Sequence, residues 1–178
     1  MLSCAQRNKG ITTIEVNVEN QPLVHSEGNS ALISDSGVTR ARLVTKVWEA
    51  YSNDTVSYWY YPEGIYVEQF DSLFQVSSTA RADTAYYFVR TELWHLIGNV
   101  ILKNIAEETI CETSELFWYS REPDTSIESI RTDKFVKITT PTKVITTEGL
   151  RSNQSLTKYI FYKNTLETEI DEDNSATE

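Results

Sequence analysis

Apolar and polar residues alternate with a period of two along much of this chain, and almost nowhere with the period of a helix. Ile14 to Val18 alternates without a break, and Arg40 to Trp48 carries the same period with polar interruptions. Gly64 to Phe70, Asp83 to Val89, Glu92 to Leu102, Leu116 to Tyr119, Lys134 to Thr139, Lys143 to Thr147 and Leu156 to Tyr162 complete the predicted strands. All are dense in β-branched and aromatic residues, which suit a pleated, half-buried surface. The best helical window is Asn104 to Thr113, but its large apolar residues, Ile105 and Ile110, are spaced too far apart to share a helix face. The pattern predicts an all-β chain.

The breaks between strands fit hairpins. Asp35-Ser36-Gly37, Pro62-Glu63-Gly64, Gly98-Asn99 and Glu148-Gly149 supply the positive-φ conformations that tight connections require. Glu122-Pro123-Asp124 marks a longer loop. Glycine inside a strand also marks a bend or bulge in a strongly curved sheet. A weak internal repeat runs through these elements. One unit is Ala82-Asp83-Thr84-Ala85-Tyr86-Tyr87 followed by Leu93 to Val100; a second is Thr113 to Tyr119 followed by Ser129 to Val136; a shortened third runs from Val144 to Tyr159. Successive hairpins of this kind build a long antiparallel sheet with two ends and an apolar interior.

Charge and cysteine content narrow the function. The net charge is -10, and residues 163–178 hold six acids and one Lys, hence -5 of it. An acidic body without a Lys/Arg cluster argues against nucleic acid. The acidic end reads as a solvated tail. Two cysteines, Cys4 and Cys111, lie far apart, too few for a disulfide framework and without neighbouring His for a metal site. Cys111 reads as a small strand residue. Met1-Leu2-Ser3-Cys4 resembles the end of a lipoprotein signal peptide, in which a small residue precedes the cysteine that is lipidated. The expectation is a lipid on Cys4 that tethers the protein to a membrane. The basic and apolar regions of such a leader would lie upstream of Met1.

Catalytic patterns are absent. The chain has no Gly-x-Ser-x-Gly, no His-Glu-x-x-His and no phosphate-cradling glycine loop. His95 reads as a strand residue, and the acids single out no pair; Glu63 with Asp71 is one arbitrary choice among many. We expect no enzyme, cofactor or metal.

The hairpin units carry a resemblance. Leu96-Ile97-Gly98-Asn99-Val100, after the strand from Ala82 to Tyr87, resembles the repeat shared by LptA, LptC and the periplasmic part of LptD. Leu32-Ile33-Ser34-Asp35-Ser36-Gly37 with Arg40-Ala41-Arg42-Leu43 looks like the start of the LptC family, as do Tyr61 to Tyr66 and Glu68-Gln69-Phe70-Asp71. The resemblance spans about residues 32–162. It implies an open, twisted antiparallel β-jelly-roll whose two sheets form a V-shaped groove. It also implies a periplasmic role: lipopolysaccharide arrives from an inner-membrane ABC transporter, lies with its acyl chains in the groove, and passes to the next β-jelly-roll. The best-known members anchor by an N-terminal transmembrane helix, and no stretch of about 18 apolar residues is found here.

On this reading the chain divides into an N-terminal tether at 1–31, a β-jelly-roll at 32–162 and a disordered acidic tail at 163–178. The groove lining is expected from alternate apolar strand positions: Tyr86, Trp94, Leu96, Val100, Leu116, Trp118, Phe135, Val144 and Ile160. Strand parity is the weak point, because one bulge flips every later side chain. The resemblance places an LptA-like partner on the C-terminal edge, here Leu156, Lys158, Tyr159, Phe161 and Tyr162. The rival reading is a surface or periplasmic lipoprotein that binds carbohydrate or a protein partner, with Trp48, Trp59, Trp94 and Trp118 stacking on sugar rings.

Overall fold

The computed structural model describes residues 21–52 and 56–170. Eleven strands follow one another in that part of the chain: β1 (Val24–Asp35), β2 (Val38–Ser52), β3 (Ser57–Tyr61), β4 (Ile65–Phe70), β5 (Val76–Ala82), β6 (Thr84–Phe88), β7 (Leu93–Asn104), β8 (Thr109–Tyr119), β9 (Ile130–Thr139), β10 (Lys143–Ser152) and β11 (Tyr159–Glu169). Every pairing is antiparallel. The protein is therefore all-β, as its two-residue periodicity predicts. The window from Asn104 to Thr113 is the β7–β8 hairpin, not a helix. The predicted strand Ile14 to Val18 and Cys4 lie outside the described residues.

The strands fold over a common spine. β3 and β4 do not pair with each other, although only Pro62-Glu63-Gly64 separates them. Instead β2 pairs with β3 through its second half, Glu49 to Ser52, and with β4 through its first half, Ala41 to Thr45. β7 does the same, pairing with β6 through Leu93 to Ile97 and with β5 through Ile101 to Asn104. Thus β3 with β4, and β5 with β6, each act as one bent crossing like their longer neighbours. A single antiparallel meander is creased along its middle into two arms, the open β-jelly-roll that the resemblance implies. β1 lies at one end of the pairing order and β11 at the other.

A bulge or corner makes the crease in each crossing, because an extra residue bends a strand and breaks its ladder. The register shifts between Ile97 and Val100 in β7, between Thr113 and Phe117 in β8, and between Glu148 and Leu150 in β10. Bulges strand backbone groups, and a buried carbonyl needs a donor. Threonines supply several, two of them buried (Thr45 and Thr147) and one, Thr113, half-buried. The Thr45 hydroxyl reaches the Gly64 carbonyl at 2.8 Å, Thr113 donates to the Phe135 carbonyl at 2.9 Å, and Thr147 donates to the Lys163 carbonyl at 3.0 Å.

Glycine serves the crease more than the hairpin tips. Gly64 has φ +85, and a Cβ there would stand 2.6 Å from the Ala82 carbonyl oxygen. Gly98 has φ +74, and its Cβ would meet Asp83 Oδ2 at 2.9 Å. Of the expected hairpin turns, Asp35-Ser36-Gly37 is one, linking β1 and β2. Pro62-Glu63-Gly64 is a corner, and Gly98-Asn99 and Glu148-Gly149 lie inside β7 and β10 as bulges.

The sheet also passes both expected boundaries. β1 begins at Val24, inside the segment expected as a tether, and β11 continues to Glu169, seven residues beyond 162. Lys143 pairs with Glu169 at the far end, helped by an ion pair from Lys143 to Glu167 at 2.8 Å.

Candidate functional site

The inner surface of the folded sheet is apolar and packed between the two arms. Along one arm, directly paired residues run from strand to strand: Leu43 opposite Val67, Val67 opposite Ala80, Ala80 opposite Leu102, Leu102 opposite Cys111, Cys111 opposite Ile138 and Ile138 opposite Ile145. None of these is more than 9% exposed. The row crosses β2, β4, β5, β7, β8, β9 and β10 without a charged residue. Cys111 is wholly buried within it, and burial pushes its thiol up to about 12, so it stays protonated and inert.

The other arm carries an aromatic row. Trp59 is opposite Tyr87, Tyr87 opposite Trp94, Trp94 opposite Trp118 and Trp118 opposite Ile130. Ring centroids along it are 5.1, 4.7 and 6.2 Å apart. Tyr61, 3% exposed, stacks on Trp94 at 5.7 Å, and burial raises its phenol so that it remains neutral. Between them the shortest row, Tyr61–Ala85–Leu96–Leu116, is almost wholly buried.

The two arms face one another. Val67, Ala80 and Leu102 from the first and Trp118 and Ile130 from the second line a single cleft with Leu156. The room inside it is only about 30 Å³, enough for little more than a water molecule, and Gln69, Ser78, Thr79, Lys103, Asn104 and Gln154 complete its lining. Leu156 belongs to the β10–β11 connection and covers the mouth at 4% exposure, with φ +57. Its loop is fastened across the arms. Asn104 at the end of β7 donates to the Ser155 carbonyl at 2.7 Å, and Asp124 accepts from the Ser155 amide at 2.7 Å. Buried Asn153 holds the turn itself, accepting from the Thr157 and Lys158 amides at 3.0 and 2.9 Å.

Several expected lining residues face inward: Trp94, Leu96, Val100, Leu116 and Trp118. Four do not. Tyr86 turns outward to stack on Tyr60 at 4.6 Å, beside His95, which stacks on Phe117 at 4.3 Å; the inward residues of β6 are Ala85 and Tyr87. Phe135 is 59% exposed because Val136 and Ile138 take the inner positions of β9. Val144 yields to Ile145, and Ile160, 46% exposed, yields to Tyr159 and Phe161. Each of the four sits on the parity of its strand that faces outward, and in β10 the inward parity itself changes. In β10 the buried side is odd at Ile145 and Thr147, then even at Leu150 and Ser152, after the bulge at Gly149.

The edge residues divide similarly. Tyr159, Phe161 and Tyr162 lie on β11, which among the described residues pairs only with β10. Leu156 is no edge residue but a buried cover for the cleft, and Lys158 closes the turn through its carbonyl, which accepts from Asn153 N–H at 3.1 Å. Missed by the sequence reading are Leu43, Val67, Ala80, Leu102 and Ile138, which share the two-residue period of their strands.

Other candidates dissolve in the geometry. Trp48, Trp94 and Trp118 pack into or against the core, while Trp59, 37% exposed, packs between Trp48 and Tyr87. Asp71 accepts from the amides of Leu73 and Gln75 and shapes the β4–β5 turn. Among the described residues no cluster of His, Cys, Asp and Glu is placed to hold a metal, and no helix is long and apolar enough to cross a membrane.

A comparison with curated proteins gives no match. The family model described as "Lipopolysaccharide-assembly, LptC-related" matches residues 6–166. That span takes in β1 to β10 and most of β11, and the chain belongs to the LptC-related lipopolysaccharide-assembly family.

Proposed function

We propose that this protein receives lipopolysaccharide from an inner-membrane ABC transporter, shelters its acyl chains in the trough formed when the two arms part, and passes it to the next β-jelly-roll protein without chemistry. Family membership supports the general role, lipopolysaccharide transport in the periplasm. One observation carries the finer reading: the unbroken apolar row from Leu43 to Ile145, which runs across the long axis of the sheet toward both ends.

The row is at most 9% exposed, so an acyl chain must part the two arms to reach it, and it then gains roughly 25 cal/mol for each Å² taken from water. The net charge of -10 gives lipid phosphates no long-range attraction. The cargo is thus held by its hydrocarbon and exchanges between similar surfaces, as transit requires. The exposed apolar residues on the two end strands, Leu32 and Ile33 on β1 and Ile160 and Leu166 on β11, suit edge-to-edge addition of an LptA-like neighbour. The tether is the lipid expected on Cys4, which lies outside the described residues.

Photo-crosslinking in cells tests the reading. Probes at Trp94 and Leu116 should capture lipopolysaccharide, while probes at outward Phe135 and Ile160 should not. Equal capture from the two faces would remove the trough from the mechanism. Depletion should leave lipopolysaccharide at the inner membrane; a normal envelope would favour the rival lipoprotein reading.

A further inference from the structure

We infer that the β8–β9 and β10–β11 connections form one cap that belongs to the second arm, and that the arms part between this cap and Asn104 when cargo enters. The inference rests on the lipid reading proposed above. At the crease the arms are joined by continuous chain, so they can separate only at the mouth. The cleft there leaves about 30 Å³, so nothing much larger than a water enters while it is shut.

The fastenings at the mouth are unequally shared. Three hydrogen bonds join the two connections to each other. Asp124 accepts from the Ser155 amide at 2.7 Å through one carboxylate oxygen and from the Ser155 hydroxyl at 2.9 Å through the other. The Gln154 side chain donates to the Glu122 carbonyl. Each connection is also tied within itself: Asn153 donates to the hydroxyls of Ser155 and Thr157 at 2.9 and 2.8 Å, and buried Ser129 donates to the Ser126 carbonyl at 2.9 Å. Toward the first arm, among the described residues, a single hydrogen bond reaches across, from the Asn104 side chain to the Ser155 carbonyl at 2.7 Å. Gln69 and Ser78 on that rim bond each other at 2.6 Å rather than the cap. The rest of the seam centres on Leu156, which shares the cleft with Val67, Ala80 and Leu102. A hydrocarbon chain can take the place of Leu156 against those residues like for like. It offers no substitute for the bonds between Asp124 and Ser155. The seam the cargo can compensate is therefore the one toward Asn104, and the cap leaves with the second arm.

The test measures distances between nitroxide pairs by double electron–electron resonance. The background is Cys4→Ser, and Cys111 is wholly buried and takes no label. Labels at exposed Lys158 and Ala106, each changed to Cys, span the seam; labels at Lys158 and exposed Thr125 lie within the cap. Deep-rough lipopolysaccharide should lengthen the seam distance by roughly 5 Å, one of the two side-chain layers between packed sheets, and leave the cap distance unchanged. Without lipid, Asn104→Asp should broaden the seam distance toward the longer value, since it keeps the acceptor for the Glu107 amide and loses the donor to Ser155. Capture of lipopolysaccharide at Trp94 with an unchanged seam distance would overturn the inference and leave the trough standing. So would a cap distance that lengthens instead. If lipopolysaccharide is not captured at all, the lipid reading fails, and an unmoved seam in Asn104→Asp then overturns the seam as well. Should Asn104→Asp not fold, Asn104→Ala takes its place.

Discussion

The side-chain amide of Asn99 donates to the Asp83 carboxylate over 2.6 Å, while the Asp83 backbone N–H donates to the Gly98 carbonyl at 2.9 Å. This pair of bonds stitches the β5–β6 corner to the bulge of β7, and so fixes the crease at which the two arms meet. Gly98 stands between the partners at φ +74, with no room for a Cβ against Asp83. Gly98→Ala should therefore lower stability by about 2 kcal/mol or more, from left-handed strain and collision together. Gly37→Ala is the control: its φ is +81 but nothing lies within 4 Å, so only the strain of about 1 kcal/mol applies. Urea unfolding of both variants measures the difference; equal losses would mean the crease does not depend on that close approach.

The buried threonine hydroxyls at the crease lead to a second expectation. Thr147 is 1% exposed and donates to the Lys163 carbonyl at the break in the β10–β11 ladder. Thr147→Val keeps the volume and strands that carbonyl in an apolar setting, at a cost of about 1–3 kcal/mol. Thr168→Val, on the exposed part of β11, should change the unfolding midpoint little.

Face assignment is tested by two residues three positions apart. Ile138 is fully buried in the long apolar row, and Phe135 is 59% exposed on the outside. Ile138→Ala should cost about 2–5 kcal/mol through lost burial and a residual cavity, whereas Phe135→Ala should cost under about 1 kcal/mol. Thermal denaturation of the two proteins, side by side, would expose an inverted β9.

These faces mark where the sequence could be read and where it could not. Strand identity was legible where alternation survives, as in Val136-Lys137-Ile138, but not in β1, β3 and β5, which the pattern did not predict. The inward set in β7 was legible too, since its even positions stay buried from Trp94 to Leu102 on both sides of the bulge. Phe135, Val144 and Ile160 misled because hydrophobicity alone does not say which parity of a strand faces inside. Glycine misled for a related reason. Gly64, Gly98 and Gly149 are needed where crossings approach closely, while several open hairpin tips take φ near +50 to +60 at Phe74, Glu92, Glu108 and Leu156, which carry no glycine signal. The cleft beneath Leu156 was illegible altogether, since it depends on Asn104, Asp124 and Ser155 meeting across the two arms.

Acid should weaken the outer face in a defined direction. Glu115 accepts from His95 at 2.7 Å and pairs with Lys134 at 3.3 Å. The His95 hydrogen bond, then Lys134, holds its carboxyl below the ordinary value. A lowered folded-state pKa contributes stability that is present above the unfolded carboxylate range and is lost as pH falls through the folded value. The melting-temperature gap between the wild type and Glu115→Gln should be full at neutral pH and close as the solution is acidified past the carboxylate range. A gap that widens on acidification would contradict the assignment.

Leu156 supplies the last expectation, because it is both strained and buried. Its φ of +57 is one that a branched side chain adopts at a cost of about 1–2 kcal/mol, yet it stays, 4% exposed, over the cleft that Trp118 lines. The bonds from Asn104 and Asp124 to Ser155 keep the loop in that place. Leu156→Gly relieves the strain while removing the cover, so the two effects oppose one another. Losing a buried leucine costs about 2–5 kcal/mol, and relief returns about 1–2, for a net loss of roughly 0–4 kcal/mol. The trough beneath should at the same time become accessible to an apolar dye such as anilinonaphthalenesulfonate, whose fluorescence should rise under conditions where the variant is still folded. Leu166→Gly, on the exposed side of β11 at 64%, should leave dye binding at the wild-type level. If the two variants bind dye alike, Leu156 is merely one more core residue and access to the trough is controlled elsewhere.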